Sequence, residues 1–471
     1  MMKFAVLALL ALPAYAQDAA IPGPVPFTQS VLVSDLQAPW EITWGPDDML
    51  WLTERTAGRI DRINPATGQI LPAYTLTDMV ANSGQDGLLG LALDPGLGKG
   101  QDYVYTFYTY SDPKAPADPT VTDPASPFLH EYSRLIRLSY DATTGLLSNP
   151  LTLIEGLPAG SDHDSGRLII GPDAKLYLTL GDQGNDQLAN YCLPILAQRL
   201  PTAAELGAKD YFAYQGKSLR LNLDGSIPAD NPTLNGVQSH VFTYGHRNMQ
   251  GLAFGPDGTL YASEQGPKTD DEVNILTSGA NYGWPHVAGF QDDKAYQYAQ
   301  WPLSTKGCTS IAFSDITIDP SVPRADESAF TQPFTPPIAT LFTVPTGWNF
   351  EDPICNDMNF ICWPTVAASS IETYMRPDNP IPGFGNALLV TALKRGSLYR
   401  VPLSPDGKTA VGPVERYFQT DNRYRDSTVS PDGKTIYILT DPGGLHQAVA
   451  GGVSDKVTNS GAILVYTYKA P

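Results

Sequence analysis

The sequence predicts an all-β chain folded as a six-bladed β-propeller, with four-stranded antiparallel blades and long loops gathered on the face that carries the site. Three observations predict it: a hairpin phrase recurs six times, helical periodicity is nearly absent, and long intervals rich in Pro, Asp, Ala and Thr separate the copies. The phrase is an apolar stretch, a Gly/Ser/Asp-Pro-Asp-like turn, then an alternating β-rich strand. It reads ITWGPDDMLWLTE (42–54), LALDPGLGKGQDYVYTFYTY (91–110), LIIGPDAKLYLTLGDQ (168–183), LAFGPDGTLYASEQGP (252–267) and STVSPDGKTIYILTD (427–441). A degenerate sixth copy is NALLVTALKRGSLYRVPLSPDGK (386–408). A Pro-Asp-Gly turn followed by period-two alternation is a hairpin signal, and recurrence at tens of residues marks a radial or solenoid array. Short strands favour the propeller. The intervals 111–130, 185–216 and 285–340 are expected as loops inserted on one face, where repeat proteins build their binding sites. A short helix, Thr202 to Leu206, is expected after Pro201, and no linker divides the chain.

Residues 1–16, MMKFAVLALLALPAYA, set Lys3 before an apolar run and end on Ala14-Tyr15-Ala16, the small-x-small pattern of a signal-peptidase site. Residues 17–471 are then expected as one exported propeller domain, periplasmic or secreted. No later segment approaches the roughly 20 apolar residues that cross a bilayer, so membrane insertion is not expected. With 30 basic against 49 acidic side chains the formal charge is −19, which argues against nucleic acid and anionic membranes as partners. Cysteines of an exported chain are expected to be bridged, and four allow three pairings. Cys355 and Cys362 are near enough in sequence to close a small loop; Cys192 and Cys308 would have to meet across the fold.

Of six histidines, His163 stands out in Ser161-Asp162-His163-Asp164-Ser165-Gly166, a loop just before the third repeat strand. An adjacent carboxylate can orient an imidazole and stabilise its protonated form, as a base acting on a hydroxyl requires. His130, His240, His246, His286 and His446 are read as packing or surface residues. After the fourth repeat strand, Glu264-Gln265-Gly266-Pro267-Lys268-Thr269-Asp270-Asp271-Glu272 combines Gly/Pro carbonyls with three consecutive carboxylates, a donor set that suits a hard cation such as calcium. Asp292-Asp293 form a second acidic pair. Basic residues cluster at His246-Arg247, Lys394-Arg395 and Arg423-Tyr424-Arg425. Alternate residues on a strand share a face, so Arg423 and Arg425 are expected to meet one anion as bidentate forks. Taken singly, each of these motifs also reads as an ordinary surface turn or salt bridge.

Taken in order, GQDGLLGLALDP, DHDSGRLIIGPDAKLYLTLGDQG, GKSLRLNLDGSIPADNP, YGHRNMQGLAFGPDG, SEQGPKTDDEVNIL, NYGWPHVAGF, ICWPTVA, LKRG and DNRYRD resemble the soluble quinoprotein members of the glucose/sorbosone dehydrogenase family. The resemblance implies a six-bladed propeller holding pyrroloquinoline quinone (PQQ) over its central channel, with Ca2+. It further implies oxidation of the C1 hydroxyl of an aldose to the lactone, with electrons passed to a small or protein acceptor. Residue by residue, His163 would take the C1 hydroxyl proton while hydride passes to the quinone C5 carbonyl. Asp162 would orient that base and, with Gln85, Leu188, Phe360 and Trp363, contact the sugar. Arg247 and Asn248 would meet the reactive quinone carbonyl. Lys394, Arg423 and Arg425 would hold the cofactor carboxylates, with Thr365 adding a polar contact. The carbonyls of Gly266 and Pro267 would hold one calcium ion. Structural calcium would take Glu272, Asp292 and Glu327, with backbone oxygens of Tyr282, Ala288 and Phe290. Cys355 and Cys362 match the family's local disulfide, while Cys192 and Cys308 have no counterpart in its pattern.

Two departures bear on substrate. Phe360 stands where the family pattern has a tyrosine, removing a hydroxyl beside the sugar, and Met249 replaces the proline of the His-Arg-Asn-Pro motif. A pocket lacking one hydrogen-bond partner discriminates less well among hydroxyl-bearing ligands, so a broad or shifted aldose preference is expected. Divergence between Asp293 and Ala325 leaves homodimerisation open. The rival classes are a calcium-dependent hydrolase, which has no use for Lys394, Arg423 and Arg425, and a binding propeller without catalysis, which has no use for His163.

Overall fold

Aspartates of the recurring turns explain why the hairpins form. Asp47, Asp173, Asp257 and Asp432 each accept the backbone N–H two residues on, the local bond that makes Asp a turn residue. The computed structural model describes residues 20–470 apart from positions 83, 122, 356 and 357, so the expected leader at 1–16 lies outside the described residues. Six blades of four antiparallel strands follow the chain, with Ile21–Pro22 adding a short parallel strand at the edge of blade 5. Blade 1 is Pro39–Trp44, Leu50–Glu54, Arg59–Ile63 and Ile70–Thr75. Blade 2 is Leu88–Leu93, Tyr103–Ser111, Glu131–Asp141 and Leu146–Pro158. Blade 3 is Leu168–Ile170, Lys175–Leu180, Lys217–Asn222 and Val241–Tyr244. Blade 4 is Asn248–Phe254, Leu260–Gln265, Asp271–Leu276 and Ala339–Leu341. Blade 5 is Ala368–Tyr374, Ala387–Ala392, Ser397–Pro402 and Glu415–Tyr417.

Blade 6 closes the ring with strands from both ends of the chain: Tyr424–Val429, Thr435–Thr440 and Ile463–Tyr468 take Phe27–Val33 as their outermost partner. Five repeat copies are the first two strands of their blades. The degenerate copy sits one strand further out, at the second and third strands of blade 5.

Between each pair of blades lies a separate apolar core. Leu50, Leu52 and Ile42 of blade 1 meet Leu439 and Ile463 of blade 6, and Leu389 and Leu398 of blade 5 meet Ile438 and Leu464. A strand sandwiched between two such layers buries both faces, so Leu50–Glu54 is buried throughout, whereas the outermost Phe27–Val33 is largely exposed. Met249 belongs to the core between blades 3 and 4. It therefore does not bear on substrate through the cavity wall, correcting that part of the sequence reading. The expected helix is Ala203–Ala208, with Thr202 and Glu205 forming a capping box. No helix among the described residues is long and apolar enough to cross a membrane.

The central channel is closed by charge. Arg167, leading into blade 3, donates to the Gln250 carbonyl of blade 4 at 2.9 Å, the Ser369 carbonyl of blade 5 at 3.2 Å and Asp426 of blade 6 at 2.9 Å. It also pairs with Glu41 of blade 1 at 2.6 Å, and the backbone of Leu91 in blade 2 hydrogen-bonds Glu41 in turn. Every blade meets this hub. Removing one partner of a buried ion pair costs about 3–5 kcal/mol, because the remaining charge is left uncompensated. Arg167→Leu is therefore expected to lower the unfolding free energy by about that amount in urea titration; a variant as stable as the parent would remove the hub from the account of stability.

Candidate active site

Loops between blades, and turns between second and third strands, converge above the hub on a cavity of about 720 Å³. Trp40 forms part of its wall, and the Arg167 guanidinium lies 4.6 Å from that indole. Of the residues singled out from the sequence, Gln85, Asp162, His163, Leu188, Arg247, Gly266, Pro267, Phe360, Trp363, Thr365, Lys394, Arg423 and Arg425 all line it.

His163 sits at φ 52° in a loop pressed so closely on the next blade strand that a Cβ at Gly181 would collide with the His163 carbonyl. Its Nδ1 lies 2.6 Å from Asp182 Oδ1, while Asp182 Oδ2 accepts the Trp284 indole N–H at 2.8 Å. A buried carboxylate on Nδ1 places the proton there and leaves Nε2 as the acceptor. The sequence reading assigned that orienting role to Asp162, and the structure corrects it. Asp162 stands on the opposite side of the ring, 3.9 Å from Nε2, and accepts from Gln85. Adjacency in sequence misled because neighbouring side chains on a tight loop diverge. The Asp182 contact comes from the strand-end segment Gly181-Asp182-Gln183-Gly184, and the signal for it was an acidic residue flanked by glycines beside the same repeat strand. Gln187, also missed, bridges His163 Nε2 at 3.3 Å and Asp162 at 3.2 Å, and its oxygen accepts from Arg247 at 2.6 Å.

Arg247 extends over the Trp284 ring, 5.5 Å from its centroid, and donates to the Gln265 carbonyl at 3.2 Å. Asn248, expected beside it, is fully buried and off the cavity wall. Its amide instead joins Ser165 at 3.0 Å and Gln265 at 3.1 Å, since adjacent strand residues face opposite ways. Arg423 and Arg425 do converge on one anion, Asp441, at 3.4 and 3.0 Å. Arg55 joins this basic wall unannounced by the sequence, donating to the carbonyls of Gly84 and Asp86. Burial draws the Lys394 ammonium down to about 7, although Asp271 opposes the shift; its Nζ donates to Thr365 at 2.6 Å. Asp271 in turn accepts from the backbones of Gly266, Val366 and Ala367.

Glu272, Tyr282, Ala288, Phe290, Asp292 and Glu327 lie off the cavity wall. Glu272 accepts from Gly289 at 2.6 Å, and Glu327 from Ala288 at 3.0 Å and Asp292 at 3.1 Å. Both buried glutamates thus reach one loop. Burial pushes Glu327 up to about 7 and Glu272 well above the carboxylate range, with Asp292 and Glu264 respectively adding repulsion. The oxygens of both glutamates are met by backbone N–H donors and by the Asn274 amide, and among the described residues no group of three His, Cys, Asp or Glu side chains is gathered closely enough to hold a metal ion. On the cavity itself, the Lys394, Arg423 and Arg425 donors fit a polycarboxylate.

Two disulfides are present, Cys355–Cys362 and Cys192–Cys308. The second joins the 185–216 loop to the 285–340 insertion. That insertion leaves blade 4 on the far face, climbs beside blade 3 through a bridge between Tyr244 and Asn281, and sets Tyr298, Trp301 and Phe313 over the cavity. No described residue of the 111–130 loop lines the cavity.

The sequence model of the glucose/sorbosone dehydrogenase family matches residues 36–321. The chain belongs to the glucose/sorbosone dehydrogenase family. Among relatives in that family, quinoprotein glucose dehydrogenase B of Acinetobacter calcoaceticus is 45% identical over 447 residues, covering 94% of this chain and 91% of its own length. The PQQ-bound aldose sugar dehydrogenase of Streptomyces coelicolor superposes with a TM-score of 0.60 at 24% identity, covering 95% of this chain and 99% of that one. The apo form of the soluble aldose sugar dehydrogenase of Escherichia coli gives 0.63 at 22%, covering 94% and 100%. At these identities the two structures bear on the fold alone.

Two buried carboxyls contribute to a pH response. Burial pushes Asp186, which accepts the Trp301 N–H at 2.9 Å, and Glu131 each up to about 8, against about 4 in an unfolded chain. The folded chain then holds protons that the unfolded chain has released, so their contribution is full below about pH 4 and is lost as pH rises through about 8. Urea titration of metal-free protein is expected to show lower stability at pH 8 than at pH 5, with a smaller difference in Asp186→Asn. An unchanged difference would contradict the assignment to Asp186.

Proposed function

We propose that the protein is a PQQ- and Ca2+-dependent oxidoreductase that converts the C1 hydroxyl of aldoses, glucose among them, to the lactone. The observation that carries this reading is one cavity presenting both an oriented imidazole and a wall of basic groups, in a chain 45% identical to a quinoprotein glucose dehydrogenase. Bound PQQ supplies a quinone carbonyl that accepts hydride, and calcium polarises it.

The chain's own residues do the rest. His163 Nε2 removes the C1 hydroxyl proton, while Asp182 fixes the ring and stabilises the imidazolium that results. Arg247 presents its guanidinium where negative charge develops on the accepting oxygen. Gln85 and Asp162, already bonded to each other, orient sugar hydroxyls on the Nε2 side, with Trp363, Phe360 and Leu188 enclosing the ring. Lys394, Arg423 and Arg425 hold cofactor carboxylates, and Thr365 holds the Lys394 ammonium in place. Gly266 and Pro267 would offer carbonyls to a catalytic calcium ion, and Glu272, Asp292 and Glu327, with carbonyls of Tyr282, Ala288 and Phe290, would take structural calcium. Phe360 offers no hydroxyl, which supports a broadened aldose range. Electrons pass to an external acceptor, small or protein. Two disulfides and the leader-like 1–16 support an exported chain, periplasmic or secreted, acting without membrane insertion.

The test is dye-linked glucose oxidation by apoprotein before and after addition of PQQ with Ca2+, using each alone as a control. Activity only with both is expected, and inactivity across an aldose panel with no bound PQQ spectrum would refute the reading. His163→Gln is expected to bind PQQ normally and lose about 100- to 10,000-fold in turnover; near-normal turnover would remove His163 as the base. Lys394→Ala combined with Arg423→Ala is expected to weaken PQQ binding in fluorescence titration. Because an anion needs the charged ammonium, wild-type PQQ affinity should also fall as pH rises through about 7, and Lys394→Met should lose that dependence.

A further inference from the structure

Behind Arg247 lies a second carboxylate–imidazole pair that the proposed chemistry does not use. Glu264 is the penultimate residue of the second strand of blade 4, and its two oxygens do different work. Oε1 accepts the backbone N–H of Arg247, and Oε2 lies 2.8 Å from His246 Nδ1. His246 Nε2 continues to Thr243 Oγ1 at 2.8 Å, and Thr243 to Ser218 Oγ at 2.5 Å. His246 and Asn248, on either side of Arg247, are both fully buried, as are Thr243 and Ser218. On the opposite side, the Arg247 carbonyl accepts the Asp182 N–H at 2.8 Å. The Arg247 peptide is thus held between two carboxylate–imidazole pairs. Asp182 and His163 reach the cavity side, and Glu264 and His246 lie within the blades. Tyr282 stacks on the His246 ring, 4.7 Å between centroids, and closes the remaining approach.

We propose that Glu264 and His246 are positioning residues for Arg247. They fix the main chain at the one position from which its guanidinium reaches over Trp284 to the reacting oxygen. The physical reason is the geometry of a buried carboxylate with both lone-pair sets committed. Oε1 fixes where the Arg247 N–H points, and Oε2 cannot turn away without stranding His246 in a dry interior, where an unsatisfied polar group is costly. A long arginine side chain amplifies a small backbone rotation at its far end. Misplacement of about 1 Å far from the chemistry can cost about 100-fold in rate. The sequence reading treated His246 as a packing or surface residue; its buried ring does pack, but its two nitrogens carry the connection.

This inference rests on the role proposed for Arg247, so Arg247→Ala is the control, expected to lose about 100- to 1000-fold in kcat. Glu264→Ala is expected to lower kcat by about 100-fold, with the KM for glucose and PQQ affinity, from fluorescence titration of apoprotein, each within about threefold of the parent. Glu264→Gln retains the oxygen that accepts the Arg247 N–H, and is expected to recover most of that loss. Hydrogen–deuterium exchange of apoprotein supplies a readout independent of turnover: peptides spanning Arg247 should exchange faster in Glu264→Ala and not in Glu264→Gln. Should Glu264→Ala fail to fold, His246→Leu against His246→Asn makes the same comparison, since Asn keeps a donor toward Glu264. Parental kcat in Glu264→Ala or His246→Leu, with Arg247→Ala impaired, overturns the positioning role alone. Parental kcat in Arg247→Ala overturns the reading of Arg247 itself. Equal loss of kcat, KM and PQQ affinity in Glu264→Ala and Glu264→Gln would mark the pair as a stability element and sink the proposal.

Discussion

Arg167 places one positive charge at the closed centre of a ring of sheets, where the innermost strand of every blade comes within reach. The apolar cores between blades are each local to two neighbours, and none of them sets the diameter of the ring. The hub does, because Glu41, Asp426, Gln250 and Ser369 from different blades must all approach the same guanidinium. A ring of fixed diameter brings the blade-to-blade crossings to fixed places around one axis. His163, Arg247, Trp363 and Arg423 lie on or beside such crossings, so they face a common space although they are far apart in sequence. The floor of that space is the hub itself, with Trp40 between the guanidinium and the cavity.

Carboxylates then do most of the organising around the cavity. Asp182 holds His163 and Trp284 through its two carboxylate oxygens, while its backbone N–H donates to the Arg247 carbonyl. Asp271 ties the Gly266 turn to the crossing at Val366 and Ala367, and Asp441 gathers Arg423 and Arg425. Asp182 and Asp271 each use two oxygens to join segments that share no strand. A chain of formal charge −19 would ordinarily be read as carrying its acids on the surface for solubility. Here several are interior, and their desolvation is offset by backbone N–H donors and by the few arginines available.

The rim obeys a different logic from the ring. Blades repeat one hairpin and pack on both sides, whereas the 285–340 insertion packs on one side only and is fastened at points. Cys192–Cys308 is one fastening, the bond from Trp301 to Asp186 another, and Lys268 donating to the Asp315 carbonyl a third. A segment held this way can diverge in sequence while the cavity beneath it keeps its shape.

Blade count and strand content were legible in the sequence because each has a local cause, whereas Gln85, Leu188, Phe360, Trp363 and Thr365 were named only through the resemblance to the family. A Pro-Asp turn reverses the chain wherever it occurs, and a repeated hairpin must stack on copies of itself to bury its faces. The motifs at His163, Gly266, Lys394 and Arg423 therefore arrived at the cavity as expected. What the sequence left undetermined was pairing across the ring. Asp182 rather than Asp162 orients His163, Asn248 turns inward, Met249 enters a core, His246 belongs to a connected pair, and Cys192 meets Cys308 across 116 residues. Each of these depends on which segments the closed ring brings together, and on a one-residue alternation between faces that no local motif specifies. Tertiary structure decided them because a side chain's partner in a propeller is set by the angle between blades, and that angle exists only once the sixth blade has taken the N-terminal strand.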